Sequence, residues 1–124
     1  MTPIDLRNND LRATASLDGD VLHLAFLGTA DASSEAALAG LLTRIHAELQ
    51  QEDVREARVD MRALEFMNSS CFKAFITWII AVDHSPPARR HLIRFLCNPA
   101  LHWQRRSLKA MVHFGTDIVT VEGG

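Results

Sequence analysis

A chain of 124 residues, nearly half of them apolar and with a formal charge of −2, has room for one domain with an ordinary core, and its charge argues for no particular partner. Its two cysteines, Cys71 and Cys97, form no CxxC pair and exclude a disulfide framework. The longest apolar run, from Phe75 to Val82, is broken by Thr77 and falls far short of the ~20 residues that cross a bilayer.

Residues 1–10, "MTPIDLRNND", are polar around one proline and read as a loose lead-in to a single domain over 11–122. "LRATASL" alternates apolar and polar residues, the period of a strand. The Asp-Gly that follows is a hairpin signal, and "VLHLAFLG" reads as the return strand. Asp31, Ser33 or Ser34 can cap the next helix, in which Leu38, Leu41, Leu42, Ile45 and Leu49 fall on one face. In "ARVDMRALEF" the alternation sets Val59, Met61 and Ala63 against Arg58, Asp60 and Arg62. This predicts a strand buried on one face only, with the helices on one side of the sheet. A second helix is expected from Ser69 to about His84, where "SPP" stops it. Its core stripe is read as Phe72, Phe75, Ile76, Ile79 and Val82, leaving Cys71, Trp78 and Ile80 off it. "RHLIRFLC" is a strand, and Asn98 with Pro99 is expected to open a third helix that ends near Gly115. "DIVTVE" closes the chain as a strand.

The order is β-β-α-β-α-β-α-β, an α/β fold with a mixed four- to five-stranded sheet. A strand–helix–strand crossover is right-handed in ~98% of cases, so strands that advance in one direction put all three helices on the same side.

The turn "EFMNSSCF" holds the chemistry. Ser69 and Ser70 stand where a strand gives way to an apolar helix, and three roles suit them. As a nucleophile, either lacks the flanking glycines of a nucleophile elbow. None of the six histidines, at 23, 46, 84, 91, 102 and 113, can be tied to it as a base, and their spacing matches no metal-binding pattern. As a cap, any one of Asn68, Ser69 and Ser70 suffices, which leaves at least one hydroxyl over. As a phosphate acceptor, a helix N-terminus supplies free N–H groups and a favourable dipole, and Lys73 follows one turn on. Apolar surface beyond a single stripe, Trp78 included, suits either deeper burial or docking.

Three segments carry a resemblance. "FLGTADASS" is similar to the Gly-x-x-Asp stretch of STAS domains, with Gly28 and Asp31 in the matching places. "VDMRALEFMNSSCF" is similar to their strand with a central Asp, a hydrophobic turn and Asp-Ser-Ser/Thr-Gly. Asp60, Phe66, Asn68, Ser69 and Ser70 fill those positions here. "FLCNPALHWQRRSL" resembles the strand and Pro-containing turn before their third helix. Within that family the chain most resembles the anti-sigma factor antagonists. The resemblance implies a small, cytoplasmic, non-catalytic module without a cofactor, phosphorylated on Ser69, with Ser70 as second choice. It implies as partners a serine kinase that doubles as an anti-sigma factor and a metal-dependent serine phosphatase. It places the partner-binding surface at Asp31, Asn68, Ser69, Ser70, Phe72, Lys73 and Trp78. Asn68 for the motif Asp and Cys71 for the motif Gly depart from the pattern.

Two other readings share this fold: a constitutive scaffold in a signalling complex, and a sensor of a small lipid or nucleotide with Trp78 and Trp103 in its pocket. Nucleic acid is disfavoured, because Arg89, Arg90, Arg94, Arg105 and Arg106 are spread over two elements with few aromatics between them. The oligomeric state, a homodimer included, stays open.

Overall fold

The computed structural model describes residues 1–123. Six strands, β1 (Ile4–Asn8), β2 (Leu11–Asp18), β3 (Val21–Ala30), β4 (Glu56–Met67), β5 (Leu92–Leu96) and β6 (Val119–Glu122), form one sheet in chain order. The helices α1 (Glu35–Leu49), α2 (Ser69–Asp83) and α3 (His102–Val112) connect β3 to β6. β1, β2 and β3 pair antiparallel, and β3 to β6 pair parallel. Each crossover therefore moves one strand in the same direction, which puts the three helices on one face. As expected from the sequence, the sheet is mixed, though it has one strand more.

That strand is β1, where a loose lead-in was expected. Ile4 is buried and Leu6 half-buried, so this segment does alternate, but two apolar residues are too few to show a period. Pro3 precedes it, as an edge strand allows. Asn9 turns the chain into β2 at φ 55°, a left-handed position that asparagine tolerates. The second hairpin turns at Gly19, φ 61°, where the Asp-Gly pair predicted a turn.

β4 is not regular. Asp60 pairs with Ala25 but Ala63 with Leu27, so one extra residue bulges from β4. The bulge reverses the alternation: Val59 and Met61 point into the core as predicted, but Ala63 is exposed and Leu64 takes the buried place. Asp60 holds the bulge from outside, accepting the Arg62 N–H at 3.0 Å and pairing with its guanidinium at 2.9 Å. That hydrogen-bonded pairing keeps the Asp60 carboxyl below its ordinary pKa. Gln104 of α3 holds it from inside. Fully buried, it donates from Nε2 to the carbonyls of Met61 (2.5 Å) and Leu64 (2.9 Å), and its Oε1 accepts the Asn98 N–H at 2.8 Å.

The predicted face of α1 is buried in full: Leu38, Leu41, Leu42, Ile45 and Leu49. In α2 the buried set is Cys71, Phe75, Trp78, Ile79 and Val82, one residue's rotation from the expected stripe. Phe72 and Ile76 are half-buried instead. Phe75 fixes this phase by meeting Phe26 of β3 and Phe95 of β5 edge-on, with centroids 5.3 and 6.2 Å away. Such pairs contribute roughly 0.5–1.5 kcal/mol each beyond their buried area. α3 starts at His102, later than expected. Asn98 and Pro99 form a turn before it, in which Asn98 Oδ1 accepts the Ala100 N–H at 3.0 Å.

Candidate functional site

The site lies at the ends of β3 and β4, where their parallel pairing brings two turns together. In one, Asp31 accepts the Ser33 N–H at 2.9 Å and the Ser33 hydroxyl, capping a short 3-10 turn over Ala32–Ser34. These bonds hold the Asp31 carboxyl below its usual range, so it is charged at neutral pH. In the other, Asn68 begins α2. Two bonds join the turns: the Asn68 N–H donates to Ala30 O at 2.9 Å, and the Cys71 thiol lies 3.6 Å from Asp31 O.

Asn68 is the cap. Its backbone is extended, and its Oδ1 accepts the Cys71 N–H at 2.9 Å. Ser69 and Ser70 are thereby relieved of that task, and neither hydroxyl makes a hydrogen bond among the described residues. Ser69 is exposed and Ser70 half-buried. Cys71 is no nucleophile. It is buried, and desolvation raises its thiol pKa, with the charges of Glu35 and Asp31 adding to the effect.

The electrostatics around Ser69 thus have two signs. The helix start and Lys73, exposed one turn along α2, favour an anion. Asp31 and Glu35, whose charges reach the Cys71 thiol two residues on, act against it. The sequence reading missed Glu35 as a neighbour of this turn. A carboxylate in the first turn of α1 reads only as helix-favouring until β3 and β4 are paired.

Of the residues expected to bind a partner, the fold brings together Asp31, Asn68, Ser69 and Ser70. Phe72 is half-buried against the core, and Lys73 is exposed. Trp78 does not belong to this surface. It is 3% exposed and packs on the face of α2 turned away from solvent, so it presents nothing to a docking protein. Trp103 is held to the end of β4, its Nε1–H donating to Glu65 O at 2.7 Å. Phe66, 49% exposed at the end of β4, adds apolar surface near the turn in sequence. A second register shift, between Gly28 and Thr29, returns it to the outer face, where strict alternation with Arg58, Asp60 and Arg62 also sets it. Among the described residues no three metal-ligating side chains gather, and no helix is long and apolar enough to cross a membrane.

By sequence the chain matches no family model and no curated protein. By structure it is similar to an anti-sigma factor antagonist from Mycobacterium paratuberculosis. The TM-score is 0.64 at 14% identity, over 92% of this chain and 89% of that one. It is also similar to the anti-sigma factor antagonist SpoIIAA in its unphosphorylated form, with a TM-score of 0.63 at 13% identity, over 90% of this chain and 88% of that one. Identity this low speaks to architecture, and there the resemblance read from the three sequence segments holds: this chain has the STAS-type fold of the anti-sigma factor antagonists.

Proposed function

We propose that this protein is a non-catalytic partner switch, in which the turn around Ser69 docks on a regulatory protein while Ser69 is unmodified and releases it when Ser69 is phosphorylated. One observation carries the reading: Ser69 is an exposed hydroxyl at the first position of an α-helix, and the capping that would account for it is done by Asn68. A phosphate there adds a charge of roughly −2 and three acceptor oxygens. The helix N-terminus and Lys73 accommodate it, while a partner fitted to a small neutral hydroxyl does not.

Two comparisons support this reading. Both structures of similar fold are anti-sigma factor antagonists, and one is described as an unphosphorylated form. By that likeness the partner is an anti-sigma factor that is also a serine kinase, and a metal-dependent serine phosphatase restores the hydroxyl. The module acts in the cytoplasm on transcription, through protein contacts alone. Asn68, where a carboxylate stands in the resembled motif, lowers the negative charge that a phosphate on Ser69 meets.

The test is a pull-down from extracts of the source organism with wild type, Ser69→Ala and Ser69→Glu, followed by mass spectrometry of the bait incubated with the captured kinase and ATP. The first two are expected to retain one shared partner and Ser69→Glu to lose it, with phosphate on wild type and not on Ser69→Ala. Equal capture by all three baits, or a phosphate that persists in Ser69→Ala, overturns the switch.

A further inference from the structure

β1 is the outermost strand of the sheet and pairs on one side only, with β2. The two-residue turn Asn9–Asp10 joins these strands, so Asn8 and Leu11 exchange ladder bonds, and so do Leu6 with Ala13 and Ile4 with Ala15. The N–H and C=O groups of Asp5 and Arg7 therefore point the other way, into the open edge. An edge of this kind is a template for a further strand. No bulge interrupts it, and Pro3, which has no N–H to donate, bounds it at one end.

The side chains specify which strand fits. Asp5 and Arg7 are exposed on the face of the sheet opposite the helices, and Leu6 between them is half-buried against the core. A second β1, laid antiparallel with Leu6 opposite Leu6, sets Asp5 against Arg7 on either side of the two-fold axis. Those are the residues whose backbone groups are free, so each pair also exchanges ladder bonds. A slide of one residue faces the free groups with groups already bonded to β2. A slide of two sets Asp5 against Asp5 or Arg7 against Arg7, and like charges directly opposite are unfavourable. Within the chain, Arg7 stands opposite Arg12 and makes no ion pair among the described residues, while Asp5 meets Arg12 at 3.4 Å. Asp5 of a second copy supplies the carboxylate that Arg7 lacks.

We propose that this protein forms a symmetric homodimer by antiparallel pairing of β1 with β1 of a second copy, in the register that places Leu6 on the two-fold axis and Asp5 opposite Arg7. The pairing joins the two six-stranded sheets into one. The axis stands perpendicular to the sheet, so both helix layers lie on the same side, and Leu6 meets Leu6 on that side. The paired strands run in opposite directions, which carries the two Ser69 turns to opposite ends of the joint sheet and leaves both uncovered. The dimer is thus independent of the state of Ser69.

The experiment is sedimentation velocity on the full chain at concentrations up to about 1 mM, because a contact between two short strands is smaller than a standard interface and holds weakly. Wild type is expected to pass from monomer to dimer as its concentration rises. Asp5→Arg and Arg7→Asp each set like charges opposite one another and are expected to weaken association at least about tenfold. An equimolar mixture of these two variants restores both opposite-charge pairs and is expected to associate as wild type does. The double variant Asp5→Arg/Arg7→Asp restores them within one chain, with the same expectation. If loss of the Asp5–Arg12 pair unfolds Asp5→Arg, Arg7→Asp alone decides, and a dimer as strong as that of wild type overturns the proposal. So does a wild type that stays monomeric throughout, as it does if the edge serves a strand of another protein. A dimer indifferent to the single charge reversals, or a mixture that associates no more strongly than its components, overturns it as well.

Discussion

The Asn68 carboxamide oxygen accepts the Cys71 N–H at 2.9 Å, across the first turn of α2. This contact separates the structural duty of the turn from the chemistry available to it, because the adjacent Ser69 hydroxyl has no bond to lose. Asn68→Ala is therefore expected to lower stability by about 1 kcal/mol, the usual worth of an N-cap. Ser69→Ala is expected to stay within about 0.5 kcal/mol of wild type, as exposed substitutions away from such features do. Urea titration with unchanged slope checks both. A Ser69→Ala loss as large as that of Asn68→Ala gives the serine a structural role and weakens its reading as a free acceptor.

The same turn shows what was legible in the sequence. The limits of α2 were readable because local chemistry sets them: Asn68 starts the helix, and Pro86 and Pro87 forbid its continuation. The face of α2 was not readable. Apolar residues almost encircle this helix, so periodicity cannot choose between Phe72 and Cys71. The choice is made by Phe26 and Phe95, which are remote in sequence and grip Phe75. The bulge in β4 was hidden for a like reason. Its inner support, Gln104, is a polar residue in a helix, indistinguishable by sequence from a surface residue. For Trp78, off the expected stripe, the sequence leaves burial and docking open, and the helix phase buries it. Ser69 was legible as a candidate because both its position and its hydroxyl are local properties.

Gln104 is expected to be among the most sensitive polar positions. Its side chain satisfies two carbonyls and one N–H that the β4 bulge and the Asn98 turn leave without ladder partners. Gln104→Ala opens a cavity and strands these groups, for a loss of about 2–4 kcal/mol. Gln104→Glu keeps the acceptor for Asn98 but sets a carboxylate against two carbonyl oxygens, and is expected to cost at least as much at neutral pH. Thermal unfolding of the two variants beside Arg105→Ala, an exposed neighbour, separates this effect from helix propensity.

Gly28 is a second position where the backbone decides. Its φ of 90° lies in the left-handed region, and a Cβ there would collide with the Asp10 carbonyl oxygen, which also accepts the Thr29 N–H at 3.0 Å. Gly28→Ala combines a disfavoured dihedral with a clash against backbone. It is expected to cost more than about 2 kcal/mol. Gly40→Ala, where a Cβ meets nothing and the residue is helical, is expected to stabilise by about 0.5–1 kcal/mol. Opposite shifts of the denaturation midpoint in the two variants are the expected outcome.

Stability is also expected to depend on pH through His46 and His91. Burial lowers both from the ordinary value of 6.5, and for His91 the charge of His46 adds to the lowering, while its bond to Leu92 O acts the other way. The unfolded chain therefore takes up protons at a higher pH than the folded one. The histidine contribution is fully present above about pH 6.5 and is lost as the pH falls from there toward the folded values. Asp31 also has a lowered pKa, but its unfolded value is 3.8, so its loss begins only in more acid solution. The two effects are thus separable. Denaturation midpoints should decline between pH 7.5 and 5, and His46→Gln/His91→Gln should flatten that decline while leaving the acid limb below pH 4 in place. A decline unchanged in the double variant would assign it to other groups.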